Sequence, residues 1–323
     1  MRKLLPGDAE IPPRRQIPLG LNPDSDRRRP LWVDGDPSVL RSPAVGIVGT
    51  RRPSAHGLAS ARAIAAVCVD EGWVVVSGVA RGIDEAAHEA ALRAGGRTIG
   101  VLPSPAPGGL RQGARRLGGQ IVSAGALISD RPPGTPPAAW SFVARNSLLA
   151  ALTDGLIVVE APEGSGALIT AEAASGFGLP LAFATAPYGA KSAGGGLSWI
   201  ARATDLTLLP PDVPPPQLLV DDQGLRAWLR VCAASLREDA AVRAPRKMPP
   251  SAPPTPRGLR GLILHALGSA GAAGLTEGDL LGVSEGVEEA LPSALTLLAI
   301  QGLAEQRGGR WRVCESAVLR SRA

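Results

Sequence analysis

Tyrosine occurs once in these 323 residues, phenylalanine three times, and all aromatics together make up 3% of the chain. A surface that recognises ligands mainly by stacking on many rings is thereby excluded. Three histidines, His56, His88 and His265, are scattered, and three cysteines, Cys68, Cys232 and Cys314, show no paired spacing. That rules out a zinc motif and a disulfide framework and fits a reducing compartment. No Ser/His/Asp or Cys/His arrangement suited to nucleophilic catalysis is recognisable. No apolar run is long enough to span a membrane, and the segment after Met1-Arg2-Lys3 breaks at Pro6, unlike a signal peptide. The expected location is cytoplasmic. Lysine is also scarce: Lys3, Lys191 and Lys247 stand among 34 basic residues, so arginine carries the net charge of +5. Arginine suits bidentate phosphate binding, and the excess mildly favours an acidic partner. The richness in Ala, Gly and Pro equally fits a GC-rich coding bias.

What is present divides into four parts. Residues 1–30 are rich in Pro and Arg, lack periodicity and read as a poorly ordered arm. Residues 31–209 alternate apolar runs with helical patterns. Strands are expected at Val45–Val48, Trp73–Ser77, Thr98–Leu102, Gly155–Glu160 and Leu181–Thr185, with shorter ones at Gln120–Val122 and Asp205–Leu208. Helices are expected over Leu58–Asp70, Glu85–Ala94, Ser141–Leu152 and Ala167–Phe177. Non-alternating apolar strands separated by helices indicate a doubly wound parallel sheet covered on both faces, an α/β Rossmann-like fold. Residues 210–257 read as a Pro-rich linker carrying one helix, Leu225–Arg237. Residues 258–323 read as three helices followed by a hairpin turning at Gly308-Gly309, the outline of a small C-terminal winged-helix domain. The helix expected to occupy a DNA groove, 287–301, carries Glu288 and Glu289 and no cation. This favours a protein-interaction module over a duplex reader.

Ligands of such a sheet bind at the carboxyl ends of its strands. The first strand ends in Gly49 and delivers Thr50, Arg51 and Arg52 to that edge. The second delivers Ser77, Gly78 and, after a short turn, Arg81. Arg81 between a sheet edge and a helix N-terminus is well placed for phosphate. Asp84 and Glu85 suit the first turn of the next helix through its dipole. His88, four residues after Asp84 on one helical face, reads as its structural hydrogen-bond partner. The loop Gly164-Ser165-Gly166 before a helix bearing Thr170 can cradle phosphate.

The strings "VGIVGTRRPSAHG", "VVVSGVARGIDEAAHEAALRAGGRTIGVL", "FVARN" and "VVEAPEGSGALITAEAA", with "LWVDGD" upstream, occur in this order across roughly residues 31–204. Together they resemble the DNA-processing protein A family (DprA, also called Smf). The resemblance implies an extended Rossmann-like domain that binds single-stranded DNA and dimerises. It further implies that the protein protects incoming DNA and loads a RecA-type recombinase during natural transformation, without catalytic turnover or cofactor. The DNA-binding residues it implies are Arg51, Ser77, Gly78, Arg81, Phe142, Arg145 and Asn146, with Gly164, Ser165, Gly166 and Thr170 as a possible phosphate loop. The chain departs from the family pattern at "PSPAPGGLRQGARRLGG", which lacks a Tyr-Pro pair, and at Ser147, where an arginine is usual. Two alternatives stay open: a nucleotide-binding enzyme or sensor of phosphoribohydrolase type, with Asp84 and Glu160 as acid–base groups, and a paralogue acting only through partners.

Overall fold

A computed structural model describes residues 1–12, 30–105, 110, 112–136, 139–203, 215–242, 263, 267, 270, 273–281, 291, 295, 298, 299 and 304–313. The described residues fall into two compact units, one before residue 250 and one after it.

The first unit is an α/β fold around a nine-stranded sheet. Its strands are β1 (Arg2–Leu4), β2 (Leu31–Gly35), β3 (Ala44–Val48), β4 (Val74–Ser77), β5 (Thr98–Val101), β6 (Ala126–Ser129), β7 (Gly155–Val158), β8 (Leu181–Ala184) and β9 (Gln217–Leu219). They lie in the order β1-β2-β6-β5-β4-β3-β7-β8-β9. All neighbours from β6 to β9 pair in parallel, while β1 and β2 run antiparallel at one edge. The helices are α1 (Ala55–Asp70), α2 (Ile83–Arg93), α3 (Arg115–Ala124), α4 (Ala139–Ala151), α5 (Gly166–Gly176), α6 (Gly194–Ala203) and α7 (Asp222–Val242).

The central strand explains the layering. All five residues of β3 are buried. Ala44 and Val48 face one core with Leu148, Leu149, Ala167 and Ala171 of α4 and α5. Val45 and Ile47 face the other, with Ala61 and Cys68 of α1 and Ile83 and Ala87 of α2. A strand covered on both faces cannot alternate with polar residues, hence the unbroken apolar runs. Gly46 is needed between them, because a Cβ there would lie 2.5 Å from Leu156 Cδ1.

Besides β2, an antiparallel strand not expected from the sequence, three regions differ from expectation. Residues 2–4 are a strand, not an arm: Leu4 is buried opposite Leu31 in an antiparallel pair. Three residues are too few to show a period. Residues 120–122 belong to α3, where Leu117 and Ile121, four apart, bury one helical face. The strand is β6, just past Gly125, whose backbone packs onto the Thr98 carbonyl. Residues 217–242, read as part of a linker, extend the sheet: β9 pairs with β8, and Leu225, Trp228, Leu229 and Cys232 of α7 enter the α1/α2 core. Exposed ion pairs from Arg226 to Asp70 and Glu71 hold α7 beside the end of α1. The strand expected at 205–208 lies outside the described residues.

In the second unit, Ile263, Leu267, Leu280, Leu291, Leu295, Leu298, Ala304 and Trp311 form a small core. Its described elements are α8 (Glu277–Leu281) and a hairpin, β10 (Ala304–Arg307) and β11 (Arg310–Val313). Gly308 and Gly309 turn it with φ of 57° and 75°, the left-handed pair a tight hairpin requires. Among the described residues, no helix is long and apolar enough to cross a membrane.

Trp228 is 1% exposed, so Trp228→Ala should destabilise the first unit by about 3–5 kcal/mol. Arg230→Ala on the exposed face of α7 should stay within about 0.5 kcal/mol. Urea unfolding followed by circular dichroism checks both. Equal, small effects would mean that α7 does not belong to the core.

Candidate nucleic-acid interface

The carboxyl ends of β4, β3 and β7 lie side by side, and three loops leave them. The chain runs outward from β3 through β4, β5 and β6, then returns through α4 to β7 on the other side of β3, which makes this the switch point of the sheet, where ligands of open parallel sheets bind. The loops are stitched through backbone groups. Thr50 N donates to Glu160 O at 2.7 Å, and Ile83 N donates to Thr50 O at 3.3 Å. Gly49 permits this approach, since a Cβ there would lie 2.6 Å from Ile83 Cγ1 and 2.9 Å from Glu160 O. Gly82, with φ of 94°, passes against the Thr50 and Arg51 backbone in the same way.

The Glu160 carboxylate is 2% exposed and accepts from Ser54 N at 2.9 Å, Ser54 Oγ at 2.5 Å and Ser192 Oγ at 3.1 Å. Ser54 in turn caps α1 by accepting from Gly57 N. With both oxygens held by donors on two loops, Glu160 is placed as scaffold.

In the β4 loop, Ser77 is fully buried and its Oγ donates to Ile47 O at 2.6 Å. Gly78 N and Ala80 N both donate to Asp84 Oδ2, at 3.1 and 3.4 Å. Val79 between them has φ of 56°, an uncommon conformation for a β-branched residue. From α4, the Arg145 guanidinium lies directly over Gly78, in the space a side chain there would fill. Arg145 Nη1 is 3.9 Å from Asp84 Oδ2, and Arg145 Nε is buried without a hydrogen-bond partner. Burial pulls the Arg145 pKa below its ordinary value; Asp84 opposes that and Arg51 adds to it. Burial pushes the Asp84 carboxyl up, against the pull of Arg145 and of the loop N–H groups.

Arg51 is exposed, with its Cζ 5.9 Å from the Phe142 ring centroid, within cation–π range. Phe142 is 39% exposed. Asn146, one residue after Arg145, donates from Nδ2 to Gly166 O at 3.2 Å, and Thr170 Oγ1 donates to the same carbonyl at 3.4 Å. Ser165 caps α5 through Ala167 N, and Gly164 turns the loop with φ of 73°. The structure therefore brings Arg51, Gly78, Phe142 and Arg145 into one cluster, with Asn146, Gly166 and Thr170 joined to it through α4. Ser77 lies beneath as support. Arg81 is exposed at the same edge and makes no hydrogen bond or ion pair among the described residues. Arg52 is exposed, and its N–H donates to Thr50 Oγ1.

Sequence reasoning missed two arrangements. His88 contacts Thr98 Oγ1 through Nδ1 at 2.7 Å rather than Asp84. Thr98 Oγ1 donates to Val75 O, so it accepts from the imidazole. Asp84 serves the loop behind it more than the helix ahead of it.

This is the switch-point edge of a Rossmann-like α/β sheet, with exposed cations and one part-exposed aromatic ring beside it. The family model described as DNA recombination-mediator protein A matches residues 4–211, and the chain belongs to that family. The chain is 40% identical over 179 residues to Protein Smf of Synechocystis sp., covering 51% of this chain and 45% of that one. It spans about half the length of the first curated relatives it matches. DNA processing protein A from Streptococcus pneumoniae superposes with a TM-score of 0.58 at 29% identity, covering 70% of this chain and 73% of that one. The Helicobacter pylori protein, solved for its unique single-stranded DNA binding mode, gives 0.54 at 26% identity, covering 69% and 94%.

His88 is fully buried, and burial lowers its pKa from 6.5 to about 3. Below pH 6.5 the unfolded chain takes up a proton that the folded chain refuses, so stability falls as pH drops from 6.5 towards 3. The His88 contribution approaches about 1.4 kcal/mol per pH unit. Urea titrations between pH 7 and 5 should show this slope in the parent and a flatter one in His88→Gln. An unchanged slope in the variant would mean that His88 titrates alike in the folded and unfolded chains.

Proposed function

We propose that this protein binds single-stranded DNA in the crevice at the ends of β3, β4 and β7, as a recombination mediator that protects the strand and passes it to a RecA-type recombinase. The observation that carries the reading is the Arg145 guanidinium, buried against bare Gly78 backbone with Nε unpartnered, beside Arg51 stacked on a half-exposed Phe142. Asp84 offsets the charge of Arg145, but Arg51 adds a second cation with no carboxylate paired to it among the described residues, which favours an incoming anion, and the ring beside it offers a face to a base. A phosphodiester strand with unpaired bases supplies both. The Arg145, Asn146, Gly166 and Thr170 neighbourhood then lines the path of the backbone, with Arg81 adding charge at the edge.

The role is binding rather than turnover. Glu160 is held on both oxygens by scaffold donors, and Asp84 Oδ2 takes two loop N–H groups with Arg145 beside it. Neither is presented as a free base. The second unit, with its apolar core and hairpin, is read as a winged-helix protein-interaction module on a basic, Pro-rich tether. A homodimer working in the cytoplasm completes the proposal.

The experiment is an anisotropy titration with a labelled oligonucleotide. Single strands should bind more tightly than duplex, with log affinity against log salt falling by about 0.7 per neutralised phosphate. Arg51→Ala should cost about 1.5–3 kcal/mol of binding and little stability, since Arg51 is exposed. Arg51→Lys should recover part, because the ammonium keeps charge but lacks the planar fork. Arg52→Ala should change little. Duplex preference, or normal binding by Arg51→Ala, would contradict the assignment.

A further inference from the structure

The β4 loop holds an unusual arrangement that nucleic-acid binding alone does not require. Val79 is held at φ of 56° with its side chain buried against Leu102, Ile121 and Leu127. A bulky residue persists in this region only where its surroundings over-determine it. Two N–H groups flank it, from Gly78 and Ala80, and both point at one oxygen, Asp84 Oδ2. Successive backbone N–H groups around a left-handed residue make an anion-binding concavity. Here the anion is the protein's own carboxylate.

The same oxygen is the one 3.9 Å from Arg145 Nη1. Asp84 and Arg145 are 5% and 6% exposed. Burying an ion is costly without partners, and these partners belong to different elements: the loop after β4 and the middle of α4. A dipole role at the start of α2 does not explain this, because Glu85 beside it offers a carboxylate to the same helix terminus. Gly78 completes the device. A side chain there would occupy the guanidinium's place, so bare backbone below and a carboxylate beside it define where Arg145 rests.

We infer that Asp84 is a positioning residue: its carboxylate closes the Gly78–Ala80 turn and orients Arg145 for a backbone phosphate, acting on DNA only through Arg145. The inference rests on the single-strand reading above. It differs from a plain structural role in one respect. If Asp84 works through Arg145, its loss has no further effect on binding once Arg145 is gone.

A double-mutant cycle on the full chain reads this. Binding of a labelled oligothymidylate is measured for the parent, Asp84→Asn, Arg145→Gln and the double variant, with far-ultraviolet circular dichroism confirming the fold. Asp84→Asn should weaken binding roughly tenfold in the parent, the scale of one lost charge-assisted contact. It should weaken binding less than about twofold in the Arg145→Gln background. The salt slope should shrink by about 0.7 in each single variant and no further in the double. Should Asp84→Asn fail to fold, Asp84→Glu, which keeps the charge but displaces it, takes its place with the same expected pattern. Additive losses would overturn the inference, as would tighter binding by Asp84→Asn, which would make Asp84 a screen against phosphate. A folded parent that does not bind would instead defeat the single-strand reading, and the inference with it.

Discussion

The burial of β3 on both faces is the constraint from which the rest follows. With α1, α2 and α7 on one side and α4 and α5 on the other, its five residues have no route to solvent except along the strand axis. Polar groups therefore gather where the chain leaves the sheet. The parallel neighbours β4 and β7 leave at the same edge, and short loops bring their ends within backbone hydrogen-bonding distance. The crevice is a consequence of the layering, and the glycines at 49, 78 and 82 let the loops and Arg145 close in.

Two carboxylates stabilise this edge in different ways. Glu160 ties β7 to the start of α1 and to the segment around Ser192. Asp84 ties the strained turn after β4 to α4 through Arg145. Preorganisation of this kind reduces the ordering needed when an anion arrives. Arg51 contributes differently: it is exposed and rests on Phe142, so it supplies charge at the mouth of the crevice.

Much of this was legible in the sequence because fully buried parallel strands read as unbroken apolar runs. β3, β4, β5, β7 and β8 were placed to within two residues at either end. The β1 strand was too short to show a period, and β6 was displaced because Ile121 and Val122 look like strand until Leu117 is seen on the same helical face. The α7 helix was recognised, yet its attachment was hidden: flanking prolines suggested a tether, while Trp228 and Leu229 needed the α1/α2 surface to explain them. In the site, Arg51 lies near Phe142 and Arg145, whereas Arg81, expected to converge with Arg51 and Arg145, is exposed with no hydrogen bond or ion pair among the described residues. The Asp84 arrangement was not readable, since hydrogen bonds running back from a helix to the preceding loop, like the positive φ at Val79, leave no periodic trace.

The central proposal is that a single strand lies along the edge formed by Arg51, Phe142 and Arg145, with Gly78 beneath the Arg145 guanidinium. Photocrosslinking with a bromodeoxyuridine-substituted oligonucleotide, followed by peptide mass spectrometry, tests it most directly. The account predicts adducts on Phe142 and on peptides from residues 49–53 and 77–82, suppressed by unlabelled single strands and less so by duplex. Adducts confined to the basic segment 243–260 or to the hairpin at 304–313 would contradict it.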